Sequence, residues 1–340
     1  MCPACALDTL APLADLGEMP VACGMTFPGP AAARLSPKGR MQLASCPRCG
    51  HVANTAFDPK LAPFDASFEA ALFHSPTYTD YATGVVDRLV KEFSPSCVLE
   101  VASGSHVLTS HLESLGVSAT GVPDAVVKSG SYDLVLARFV LEHMADPFKL
   151  LTSLRKVATR AFFEVPDAGY DLTTAGWDCI YPHVGYFSAA SLNAIAARAG
   201  WRVLEIGTAF SDQYLWAIAE RAEPLTVDPV PAVYSPSFDA ATAQWRDGLA
   251  GKNAVVWGAG TRGTMFCNRV DPRAQLIAGV VDRNPAKHNR FLPITGHRVL
   301  APADLTEIRP DLVILTNPSY VKEIAAEVAS LGIRAEVVVA

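Results

Sequence analysis

Nowhere along its 340 residues does the chain carry a run of lysine or arginine, and its formal charge is −6. A nucleic-acid partner needs a basic face, so none is expected. No apolar stretch reaches the ~18 residues of a membrane span, so no membrane contact is expected. The opening, MCPACALDTL, has no basic region followed by an apolar core, so it is not read as a signal peptide. Together these absences predict a soluble, cytoplasmic protein. What is present is apolar: half of the residues are hydrophobic. At roughly 100–200 residues per domain, the length suits two or three domains with proper cores.

The pattern divides into three blocks. Residues 1–55 are loop-rich, with Pro and Gly scattered between CPAC and CPRCGHV. Residues 56–225 begin with a connector and a helical stretch, YTDYATGVVDRLVKEF. From Cys97 onward apolar strands alternate with helices: CVLEVAS, SATGV, YDLVLARFV, AFFEVP, WRVLEIG and QYLWAIAER. Continuous apolar strands of this kind predict a mainly parallel sheet covered on both faces. AEPLTVDPVPAVYSPSFD then reads as a linker. Residues 232–340 repeat the alternation on a smaller scale, which predicts a second α/β domain.

Eight cysteines are present, and four of them form two CxxC pairs, Cys2 with Cys5 and Cys46 with Cys49. Cytosolic thiols stay reduced, so such pairs suggest a metal before a disulfide. Each pair is a tight knuckle that points two thiolates at one ion, and two knuckles make a closed, structural zinc site. The 40 residues between them exceed a minimal zinc ribbon. Cys23 is a possible substitute ligand, and is read first as a spare buried thiol.

Three further stretches carry chemistry. FVLEHMADP puts Glu142 and His143 just after a strand, at the edge where ligands sit in open α/β sheets. A capped helix start with a solvated Glu-His pair is the equal alternative. WDCIYPHVGYFS crowds Asp178, Tyr181, His183 and Tyr186 into one loop. A histidine there suits a general base, a tyrosine a donor to an enolate oxygen, and Asp178 a partner that orients the ring; the alternative is an aromatic loop packed on the sheet. GAGTRG follows the strand NAVVW and opens a helix, so Gly258, Gly260 and Gly263 stand in a proper GxGxxG context. Asp282 follows 19 residues after Gly263, as the ribose-binding acid of a dinucleotide site does. That pattern fits NAD, or another nucleotide or diphosphate at the same helix end.

The run from Glu100 to His106, EVASGSH, resembles the cofactor turn of a class I methyltransferase, E/D-x-G-x-G-x-G. Glu100 and Gly104 fit; Ala102 and His106 stand where glycine is expected, with Ser103 between. Only nine residues, PDAVVKSGS, separate SATGV from the next strand, where a full methyltransferase has a helix and another strand. Asp124 is the candidate ribose-binding acid. The fold expected is α/β: a shortened class I methyltransferase-like sheet, a C-terminal Rossmann-like domain and a small zinc-binding domain.

Over its full length the chain resembles the three-domain sugar C-methyltransferases. The residues that carry the likeness are the two CxxC pairs, FVLEHMADP, YPHVGYFS and the tail VVDRNPAKHNRFLP. The resemblance implies methylation, by S-adenosylmethionine (SAM), of a carbon beside the ketone of a nucleotide-linked deoxysugar. It implies His183 as the base, flanked by Tyr181 and Tyr186, with Tyr78 or Tyr81 capping the site. The family often has Glu before that histidine; here it is Pro182. Two alternatives stay open: the same enolate chemistry without SAM, giving an epimerase or isomerase, and NAD-dependent redox chemistry at the C-terminal domain. A non-enzymatic sugar-nucleotide-binding subunit is a third.

Overall fold

The computed structural model describes residues 1–7, 10–61, 71–101, 105–123, 127, 129–230 and 232–340. Among them no helix is long and apolar enough to cross a membrane. The strands are β1 (Ala11–Pro20), β2 (Lys38–Ser45), β3 (Val52–Asn54), β4 (Cys97–Val101), β5 (Ser118–Val122), β6 (Tyr132–Arg138), β7 (Ala158–Pro166), β8 (Gly185–Tyr186), β9 (Trp201–Ala209), β10 (Tyr214–Arg221), β11 (Ala254–Trp257), β12 (Ile277–Val281), β13 (Val299–Leu300), β14 (Leu312–Leu315) and β15 (Glu336–Val339).

The central sheet has the order β5-β4-β6-β7-β10-β9. Its first four strands are parallel, and β10 runs antiparallel between β7 and β9. This is a class I methyltransferase-like sheet in shortened form: β5 is the edge, and among the described residues no strand intervenes in sequence between it and β6. The continuous apolar runs follow from coverage of both faces. Val98, Leu134, Leu136 and Phe162 pack under helices Pro76–Phe93 and Val107–Ser114. Their neighbours Leu99, Val135, Ala137 and Phe163 turn the other way, onto helices Pro147–Val157 and Ala189–Arg198. Each fully buried Leu or Phe contributes roughly 1.5–3 kcal/mol through area removed from water. Helix Ala189–Arg198 starts where the sequence places it, because Ser188 and Ser191 form a reciprocal capping box.

The C-terminal sheet, β13-β12-β11-β14-β15, is parallel throughout, as a Rossmann-like sheet is. The N-terminal residues depart from a loop-rich reading. β1 and β2 form a long antiparallel hairpin, joined by β3 and β8 in the order β1-β2-β3-β8. Pro12, Asp15 and Gly17 obscure β1 in the sequence, and its pairing is irregular at just those places. β8 comes from the YPHVGYFS loop, so that loop is stitched into the N-terminal sheet. The N-terminal residues also reach the C-terminal sheet, through the Phe27–Phe291 bridge and an Arg290 side chain that donates to Thr26 O at 2.7 Å.

Candidate functional site

The two CxxC knuckles close on one another. Cys2 and Cys49 Sγ lie 3.6 Å apart, and Cys5 and Cys46 Sγ lie 3.7 Å apart. A disulfide needs about 2.05 Å, so these are free thiols. Four sulfurs at about 2.3 Å from a tetrahedral zinc would sit about 3.8 Å from one another, which the cluster matches. Gly50, at φ +70°, supplies the left-handed turn behind the second knuckle, and its N–H donates to Cys46 O at 2.9 Å. All four cysteines are buried. The cluster is seated on helix Ala189–Arg198: Ser188 Oγ donates to Cys49 O at 2.8 Å and Arg198 Nη1 to Pro3 O at 3.0 Å. Cys23 lies elsewhere, against Met265 at 3.7 Å. With no open ligand position, four thiolates suit a structural ion.

A cavity of about 350 Å³ opens between the central and C-terminal sheets. One wall is made by Glu142, His143, Asp178 and His183. The strapped loop puts them there: Val184 N–H donates to Glu142 O at 2.7 Å, and Asn54 N–H donates to Val184 O at 3.0 Å. The two imidazole centroids are 5.0 Å apart. Glu142 Oε1 is 3.9 Å from His143 Nε2, and the carboxylate and both rings share a space 4.8 Å across. His143 Nδ1–H donates to Pro182 O at 3.0 Å, so in the neutral ring Nε2 carries the lone pair. Burial pushes the His183 pKa down to about 4, against a pull upward from Asp178. Burial, reinforced by His183, pushes His143 down to about 3. Both rings are therefore neutral near pH 7 and able to accept a proton. This departs from a solvated Glu-His pair.

The facing wall is the glycine-rich turn. Gly258 sits at φ +109°, and a Cβ on Gly258 or Gly260 would meet nothing within 4 Å. Both glycines border the cavity, so a ligand can lie against bare backbone at the start of helix Thr261–Val270. Gly263 serves packing instead, since a Cβ there would fall 1.9 Å from Gly258 O. Asp282 is folded back on the turn: its carboxylate accepts from Ala259 N and Asn284 N, both at 2.8 Å. Lys287 Nζ donates to Ala259 O at 2.9 Å. An acid spent on its own turn, with a lysine beside it, suits a phosphate better than the ribose of NAD.

Residues 77–206 match the family model of a methyltransferase domain, and residues 244–338 match that of a C-methyltransferase C-terminal domain. The chain has the domain architecture of a SAM-dependent C-methyltransferase. No curated protein is significantly similar to it. Among solved structures, the N-terminal domain of EvdMO1, determined in the presence of SAH and D-fucose, is 17% identical over 42% of this chain and 82% of its own, with a TM-score of 0.28. A SAM-dependent methyltransferase from Archaeoglobus fulgidus is 16% identical over 42% of this chain and 94% of its own, at 0.34. The magnesium protoporphyrin IX methyltransferase of Synechocystis is 14% identical over 43% and 84%, at 0.33.

In the methyltransferase domain, Ala102, Ser103, Gly104 and Asp124 lie outside the described residues. Glu100 is buried at the end of β4. His106 is exposed at the start of helix Val107–Ser114, which lacks a side-chain cap. A buried acid at the strand end and an uncapped helix start fit SAM, whose charged groups need such partners.

The tyrosines divide differently from the sequence reading. Tyr181 is buried against Gly39, and its hydroxyl accepts from Asp58 N at 2.8 Å. Tyr186 donates to Ile180 O at 3.3 Å. Tyr78 and Tyr81 join a buried ion pair, Arg138 Nε to Glu164 Oε2 at 2.7 Å: Arg138 donates to the Tyr78 hydroxyl at 3.3 Å, and Tyr81 donates to Glu164. Tyr214 and Tyr320 border the cavity instead. Burial raises the pKa of both, Tyr320 to about 12, so both stay O–H donors.

Proposed function

We propose that this protein methylates a carbon next to the ketone of a nucleotide-linked deoxysugar, with SAM as donor. The observation that carries this is the shared cavity, in which two buried imidazoles and a carboxylate face a bare glycine-rich turn. A nucleotide-linked sugar suits both walls at once. Its diphosphate would lie on Gly258–Gly260 and the helix start, close to Lys287. Its sugar ring would reach His183.

His183 then takes the proton from the α-carbon, and the C–H pair moves into an enolate. The resulting imidazolium lies beside the Asp178 charge. Tyr214 and Tyr320 are the hydroxyl donors placed to hold the enolate oxygen, a role in which aimed donors stabilise developing charge. SAM, when bound at Glu100 and the adjoining turn, supplies the methyl group that the enolate carbon takes up. Zinc at Cys2, Cys5, Cys46 and Cys49 holds structure.

The test is turnover of a nucleotide-linked ketosugar, following release of S-adenosylhomocysteine and wash-in of solvent deuterium. Methyl transfer should be dependent on SAM, and His183→Ala should cut both signals by about 10²–10⁴-fold. Undiminished exchange in folded His183→Ala would remove the base. A second reading, epimerisation, draws on the contrast between a complete proton-acceptor cluster and a cofactor turn with two glycines replaced. Deuterium wash-in without S-adenosylhomocysteine release would select it.

A further inference from the structure

Arg262 belongs to the glycine-rich turn by sequence and to the methyltransferase domain by contact. Its guanidinium crosses the cavity wall. Nη1 donates to Gln213 Oε1 at 2.5 Å, and Nη2 donates to Asp178 Oδ2 at 3.3 Å. Asp171 Oδ1 lies 3.9 Å away, and the charge rests over the Tyr170 ring at 5.6 Å. The other Asp178 oxygen, Oδ1, accepts from Thr261 Oγ1 at 3.5 Å. Both oxygens of Asp178 are thus held by the first two residues of the helix that a phosphate would cap. Meanwhile His183, five positions along the same loop, keeps a buried Nδ1 that has no hydrogen-bond partner among the described residues.

We infer that Arg262 is a positioning residue: it holds Asp178 while the phosphate site is empty, and an arriving diphosphate, by drawing on Arg262 and Thr261, releases Asp178 to serve His183. The inference rests on the nucleotide-linked substrate proposed above. Its chemistry is competition between two anions for one guanidinium. A diphosphate carries more charge than a carboxylate and offers several acceptor oxygens to a forked donor. The groups facing His183 set the direction. Asp178 favours its protonated form and Arg262 opposes it. His143 and the Tyr186 ring pack at 5.0 and 5.7 Å, and Glu142 lies beside them. Arg262 itself faces Asp171, Asp178, Tyr170 and Tyr214. Moving Arg262 toward phosphate removes the opposing charge and makes the base stronger only when substrate is in place.

The experiment follows the His183 ring signals by NMR in the full chain, with pyrophosphate as probe and phosphorus NMR to establish that it binds. In the wild type, pyrophosphate should raise the His183 titration midpoint by about one pH unit or more. Arg262→Gln should show the raised midpoint without pyrophosphate and no further response. Arg262→Lys, which keeps the charge, should retain the low midpoint. Asp178→Asn, a second variant should Arg262→Gln fail to fold, should leave His183 unresponsive. Bound pyrophosphate with an unmoved His183 in the wild type would overturn the coupling alone. Failure of pyrophosphate to bind would overturn the phosphate reading of the turn, and the proposal with it.

Discussion

Two strand-to-helix connections in this molecule carry different residues at corresponding places. The turn after β11 keeps its three glycines, and each has a distinct role. Gly258 bends the chain, Gly260 leaves room and Gly263 admits the Gly258 carbonyl. The turn after β4 has alanine and histidine in two of the corresponding places. One turn is a bare-backbone cradle whose own acid, Asp282, is consumed in shaping it. Beside the other, the candidate partners for SAM are a buried acid, Glu100, and a helix start left uncapped. Glycines are needed where backbone must touch a ligand or another backbone. Where side chains and a helix end do the holding, fewer are required.

The sharpest way to break this contrast is Gly263→Ala. A methyl group 1.9 Å from a backbone oxygen cannot be absorbed by a rotamer change. The variant should lose about 3 kcal/mol of stability, an overpacking cost, together with pyrophosphate binding. Thermal unfolding and titration calorimetry would show it, and S-adenosylhomocysteine binding at the other turn should persist.

Acid should act between the two turns. His183 and His143 are depressed to about 4 and about 3, against about 6.5 in the unfolded chain. The unfolded state therefore binds more protons below pH 6.5. Stability is fully present above that value and falls as pH drops through 6.5 toward 4 and 3, by ~3 kcal/mol for His183 alone. Denaturant titrations from pH 7 to pH 4 would record the slope. His183→Asn should flatten it, whereas an unchanged slope would mean that other groups carry the acid sensitivity.

A smaller effect belongs to the first turn. Glu100→Gln removes the charge but keeps the shape. Its loss should weaken S-adenosylhomocysteine by about tenfold, the scale of one charged hydrogen bond, while pyrophosphate binding stays the same. The smallest expected effect is His106→Gly. An exposed ring at a helix start should change that affinity by less than about threefold. A large gain would show that His106 obstructs the cofactor, and the two turns would then differ by damage rather than by design.

Much of this frame was legible in the sequence because the central and C-terminal strands are buried on both faces and read as apolar runs. The cysteine knuckles were legible because spacing alone fixes a CxxC geometry. The edge hairpin was not, since β1 carries Pro12, Asp15 and Gly17 rather than a strand pattern. At the site, His183, Glu142 and His143 converge as their motifs suggest. The tyrosines did not follow, because a dense aromatic loop does not disclose which rings turn inward; Tyr181 and Tyr186 brace it while Tyr214 and Tyr320 meet the cavity. Arg262 escaped notice for another reason. It occupies a variable position of GxGxxG, and its partner Asp178 lies 84 residues away. Arg138 and Glu164 left a fainter trace, as charges inside otherwise apolar strands.

The four-stranded N-terminal sheet borrows its last strand from the loop that carries His183: Val52 and Ala53 pair with Tyr186 and Gly185, only three residues beyond Cys49. The sheet that the first fifty-odd residues build is therefore completed only by this loop. A cysteine-bearing segment moved onto another methyltransferase would arrive with an open sheet edge, unless the recipient offered a matching loop. Swaps between relatives should succeed when residues 1–55 and the Trp177–Ser188 loop travel together, and this part of the chain should evolve as a pair of distant segments rather than as a module.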